Sequence, residues 1–87
     1  MGYWAVVEKE VDRYCAYFPD ITGVVVRART IEELKVLLQE ALIDHLKILQ
    51  QSNEPIPRSN FNPTTKTTLP KKFPQKIVEY VYITMNK

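Results

Sequence analysis

The chain has 87 residues, a formal net charge of +2 and a single cysteine, Cys15, which is enough for one domain with one core and excludes a disulfide scaffold. Charge is uneven: six basic residues face nine acidic ones up to residue 54, and six face one (Glu79) after it, yet Lys66, Lys71, Lys72 and Lys76 are too scattered to read as a nucleic-acid footprint. No apolar run approaches the ~20 residues needed to cross a bilayer and no signal-type stretch follows Met1, so a soluble cytoplasmic protein is expected.

Tyr3 to Lys9 is rich in aromatic and β-branched residues and reads as a first strand. Glu10-Val11-Asp12 is a turn. Arg13 to Phe18 is a second strand, with Tyr14, Ala16 and Phe18 on one face and Arg13, Cys15 and Tyr17 on the other. Pro19 then fixes its own φ, Asp20 is placed to hydrogen-bond nearby amides, and Gly23 is suited to the positive φ that restarts an extended chain. Val24 to Ala28 is the third strand. The connections are too short for crossovers, so the three strands form an antiparallel meander.

Thr30 with Glu33 is a capping box that starts a helix at Ile31, running to about Ser52. At about 100° per residue, Ile31, Leu34, Leu38, Ala41, Leu42, His45 and Leu49 form the apolar stripe, with Glu32, Glu33, Gln39, Glu40 and Lys47 opposite. The helix is longer than the strands, so its last turns are expected to overhang the sheet. Asn53 and Pro55 stop it. Residues 53–75 hold five of the six prolines and read as a loop or arm. Lys76 to Met85 is a fourth strand, with apolar residues on both faces.

The order is β-β-β-α-β, an α+β class in one domain spanning residues 1–87. A strand that returns after a helical crossover is expected parallel to an earlier one; beside strand one, it gives the sheet order 3-2-1-4. The helix covers one face. The other is expected to keep apolar side chains exposed, which a second copy or a partner would cover.

In order and spacing, Tyr3-Trp4-Ala5-Val6-Val7, Phe18-Pro19-Asp20-Ile21-Thr22-Gly23, Thr30-Ile31-Glu32-Glu33, Ala41-Leu42 with His45-Leu46, and Glu54-Pro55-Ile56-Pro57 resemble HicB-like antitoxins. The resemblance covers residues 1–57 closely and the last strand loosely. It implies a partial ribonuclease-H-like fold and a protein that binds and blocks a small, basic, RNA-cleaving toxin that uses a histidine. Many members of that family add a C-terminal segment for operator DNA. This chain ends at Lys87, just past the fourth strand, so no DNA-binding module is expected in it. The family reads Gly-Cys-x-Thr-x-Gly-acid after its proline turn. Here Val24, Val26, Ala28 and Arg29 stand at the cysteine, threonine, second glycine and acid, and Leu34 replaces a small residue.

No catalytic, cofactor or metal site is expected. Glu8, Glu10, Asp12 and Glu79 are the strand and turn acids, too dispersed for a two-metal nuclease cluster. His45 is the only histidine and reads as a half-buried packing residue, and Cys15 as a small apolar strand residue. Val36 and Ile43, seven residues apart on the polar side of the helix with Leu46 at their margin, form one candidate edge of a protein interface. Trp4, Tyr17, Tyr80 and Tyr82 concentrate aromatics on the sheet, either as interface anchors or as rings that stack on unpaired bases. The leading expectation is a non-enzymatic module that binds a toxin-like protein and self-associates through a sheet edge or sheet face. Single-stranded nucleic-acid binding is the alternative.

Overall fold

The structure, a computed structural model, describes residues 2–63 and 77–85. The alternating apolar segments become β1 (Gly2–Lys9), β2 (Tyr14–Phe18), β3 (Ile21–Ala28) and β4 (Ile77–Thr84), and the leucine-rich segment becomes α1 (Ile31–Gln51). The strands form one sheet in the expected order, β3-β2-β1-β4. All neighbours are antiparallel.

That corrects one expectation. β4 runs antiparallel to β1, with Tyr3 opposite Ile83 and Glu8 opposite Ile77. The helix is only half of the connection. It carries the chain from the end of β3 back along the sheet, and residues 52–76 then intervene before β4. The chain re-joins the sheet beside Glu8, at the far end of β1, so the handedness rule for a single crossover does not apply.

β3 also begins earlier than the sequence indicates. Phe18 pairs directly with Ile21 across the Pro19-Asp20 turn, and the register shifts between Tyr17 and Phe18. Gly23 lies in this irregular stretch with φ +91°, a conformation that L side chains rarely adopt. Gly2 is constrained differently: a Cβ there would run into the Ile83 carbonyl oxygen and the Tyr82 ring.

The helix start is as expected. Thr30 Oγ1 accepts from the Glu33 amide at 3.1 Å, and the Thr30 hydroxyl lies 3.2 Å from Glu33 Oε1. At the other end Asn53 takes φ +56°. Its amide donates to the Gln50 carbonyl and that of Glu54 to the Leu49 carbonyl, at 3.2 and 2.9 Å. This is a Schellman stop with asparagine in the left-handed position.

Leu34, Leu38, Leu42 and Leu46 are the buried residues of α1. They pack on Tyr3, Ala5 and Val7 of β1, Ala16 and Phe18 of β2, Val24 of β3 and Val81 and Ile83 of β4. Tyr3 meets Phe18 edge-on, centroids 6.3 Å apart. Leu46 is thus a core residue, 6% exposed, and not the margin of a surface patch. The buried stripe is turned towards it, leaving Ile31, Ala41, His45 and Leu49 half-buried. The last turn does not overhang freely, since Leu49 and Ile56 both pack against the core. Val24, Val26 and Ala28 face the helix in or beside the core. Those departures from the HicB-like pattern therefore change packing, and only Arg29 lies on the surface.

Leu38→Ala is expected to cost about 2–5 kcal/mol, as a fully buried leucine exchanged for a cavity, and Thr30→Ala about 1 kcal/mol, as a lost cap. Urea denaturation of both variants checks this. Equal losses would contradict the placement of the core.

Candidate protein-docking site

Strand alternation sends Trp4, Val6 and Glu8, Cys15 and Tyr17, Val25 and Arg27, and Tyr80 and Tyr82 to the face away from the helix. Register places Val25, Tyr17, Val6 and Tyr80 in one row across the four strands. A bare apolar face was expected here, but the middle of this row is closed. Val6 is fully buried between Tyr17 and Tyr80, and Phe61, itself 6% exposed, packs on Tyr80 with centroids 5.9 Å apart. Cover comes from the proline-rich arm expected over residues 53–75, whose part beyond residue 63 lies outside the described residues.

Three polar contacts hold this arm. The Tyr3 hydroxyl donates to the Pro57 carbonyl at 2.5 Å. The amides of Asn60 and Phe61 both donate to Asp20 Oδ2, at 2.9 and 2.8 Å. Asp20 was expected to cap amides close by in sequence. It instead reaches amides 40 and 41 positions away. Burial, and secondarily the Asp20 charge, holds the Tyr3 phenol above its ordinary value.

Sequence candidates therefore separate into three groups. Tyr80 lies against Phe61. Tyr17 is half-buried, and burial first, then the neighbouring Glu8 carboxylate, pushes its phenol above 10.0. Tyr82 and Val36 lie on the outer side of β4, and Trp4 lies beside Tyr82. Trp4 and Tyr82 are cross-strand partners with rings edge-on at 5.2 Å. Tyr82 then lines a groove with Lys35, Val36, Gln39, Ile83 and Thr84 along the seam between α1 and β4. Val36 and Tyr82 are 59% and 48% exposed, so this groove offers apolar surface to solvent. Gln39 closes the end of the seam, its Nε2 donating to the Thr84 carbonyl at 3.0 Å. Ile43 lies apart from this group, in a second groove with Glu40, Asp44 and Lys47.

Glu10 pairs with Arg13 and Arg27 at 3.2 and 3.4 Å. Among the described residues no three or more of the histidine, cysteine, aspartate and glutamate side chains stand together as a metal site. Cys15 is buried, and burial pushes its thiol up against the opposing pull of Arg27, which suits an inert packing residue. No helix among the described residues is long and apolar enough to cross a membrane.

Two features escaped the sequence reading. Phe61 is the one aromatic residue in the Pro/Asn-rich run before residue 64, and that isolation was the available signal. Leu37 and Ile48, 39% and 58% exposed, make a further aliphatic pair on the helix that the stripe assignment passed over.

Folded, the Tyr3 and Tyr17 phenols titrate above the 10.0 of the unfolded chain. The stability they contribute is complete below that value and is lost as pH rises through the folded values. Denaturation between pH about 9 and about 11 should show stability falling more steeply in the wild type than in Tyr17→Phe. Equal slopes would contradict the raised Tyr17 value.

No family model matches the sequence, and no curated protein matches it. Solved structures do match. The Burkholderia pseudomallei antitoxin HicB superposes with a TM-score of 0.72 at 22% identity, covering 97% of this chain and 62% of that one. This chain thus spans less than two thirds of that antitoxin's length. A chain of the HicA3 and HicB3 toxin–antitoxin complex superposes with a TM-score of 0.77 at 20% identity, covering 100% of both chains. At these identities the likeness is one of fold: a four-stranded antiparallel sheet with one helix, arranged as in HicB.

Proposed function

We propose that this protein is an antitoxin-like interaction module that binds and masks a small, basic, RNA-cleaving toxin in the cytosol and catalyses nothing itself. The observation that carries this reading is the end-to-end match, over the whole of both chains, to a chain of a toxin–antitoxin complex. The groove beside β4 supplies the means. Trp4, Tyr82 and Val36 are the anchors whose burial gives affinity. Among the described residues β4 is the edge strand of the sheet, a position suited to pairing with an extended segment of a partner. The acidic excess before residue 54 steers a basic partner and contributes more to encounter than to the final affinity. Self-association belongs to the same reading.

Nucleic-acid binding through the aromatic face fits less well. Tyr80 is engaged by Phe61 and Tyr17 is half-buried beside Glu8, so the row lacks the open rings on which successive bases stack.

Val36→Glu changes an exposed position and should leave the fold intact. It is expected to weaken the complex with the proposed small basic toxin by about 2 kcal/mol, roughly thirtyfold, and Trp4→Ala by at least as much. Calorimetric titration measures both. Absence of wild-type binding to that toxin, or salt-dependent retention on RNA in its place, would contradict the proposal.

A further inference from the structure

Arg13, Arg27 and Arg29 line one cleft with Asp12 and Ala28, at the end of the β2–β3 pair. The chain has four arginines, and three of them are here. Register brings them together: Tyr14 pairs with Ala28 and Cys15 with Arg27, so Arg13 and Arg29 stand just past the last pair. Like charges set against each other across two strands destabilise a sheet. Glu10 relieves part of that repulsion, its Oε1 lying 3.2 Å from Arg13 Nε and 3.4 Å from Arg27 Nε. Arg29 pairs with no carboxylate among the described residues. It stands where the HicB-like pattern has an acid, and it is exposed.

We propose that this cleft binds the phosphate group of a small molecule. Glu10 approaches both guanidiniums at Nε, the inner nitrogen, and so holds two like charges side by side. The Nη groups at the tips carry four of the five N–H donors of each guanidinium, the fork that grips phosphate oxygens. Arginine at all three positions, with no lysine among them, suits that planar geometry. The lining carries three positive charges against the one carboxylate of Asp12, a balance that favours a multiply charged oxyanion over chloride. Asp12 opposes the anion and limits its affinity. The surroundings set the size of the ligand. Glu8 and Glu10 lie in the adjoining β1–β2 turn, and Glu32 and Glu33 follow Arg29 in the first turn of α1. A polyanion running on past the arginines would meet these carboxylates, whereas a compact anion ends before them. The cleft lies at the β2–β3 side of the sheet, away from the groove beside β4, and does not depend on what docks there.

Calorimetric titration of the full chain with inorganic pyrophosphate, at fixed ionic strength in chloride, tests the proposal. The wild type is expected to bind with a Kd below about 1 mM. Arg29→Glu should weaken binding roughly tenfold or more. Arg27→Lys keeps the charge but loses the fork, and should weaken it several-fold. Asp12→Asn should tighten it. All three positions are exposed, and a thermal melt matching the wild type checks that each variant is folded. Absence of binding at about 10 mM pyrophosphate would overturn the site. So would binding that Arg29→Glu leaves unchanged, and binding equal in Arg27→Lys would overturn the guanidinium grip. A single-stranded RNA that binds more tightly than pyrophosphate, and is released by Arg29→Glu, would overturn the small-molecule assignment.

Discussion

Everything in this fold follows from a mismatch of layers: one helix can bury one face of one sheet. Leu34, Leu38, Leu42 and Leu46 close the inner face against residues from all four strands. Within an amphipathic sheet the outer face has to be closed by something else. The chain does this in part by itself. Residues 57–61 wrap the end of the sheet near Tyr3 and Asp20, and Phe61 shields Tyr80 and the row that buries Val6. The cover stops short of the β4 edge, where Trp4, Tyr82 and Val36 keep apolar surface in contact with water.

The distribution of open surface has a functional logic. A fully covered sheet would be an independent domain with little to offer a partner, and a fully bare one would aggregate. Here the outer face is divided: the row ending at Tyr80 is closed by Phe61 and serves the fold, while Tyr82, next along β4, stays exposed. Tyr82 joins the two roles. Its ring contacts Trp4 across the strand pair while its other side lines the seam beneath Val36. Helix and sheet thereby line one groove, although Val36 and Tyr82 lie far apart in the sequence.

Much of the fold was legible because local chemistry and tertiary contacts agree. The Thr30-Glu33 box, the Pro19-Asp20 turn and the period-two strands all follow from short-range patterns. Errors arose where the deciding contact is distant. Asp20 looked like a local turn residue, but its carboxylate holds amides of the arm. Leu46 looked marginal because the stripe was centred on Ile31 and Leu49, whereas packing rotates the helix towards Leu46. The direction of β4 was misjudged by treating α1 as the entire crossover. The candidate site was half legible: the aromatic and aliphatic residues stood out by composition, but only the register of β4 against β1 shows which of them share a groove.

Hydrogen exchange of the protein, alone and saturated with the small basic toxin proposed as its partner, tests the central claim most directly. The account predicts new protection concentrated at residues 35–39 and 81–84, the two sides of the β4 seam, with the β1–β2 turn at Glu10–Asp12 unchanged. Protection confined to that turn or to the far side of β3, with the seam exchanging as in the free protein, would contradict it.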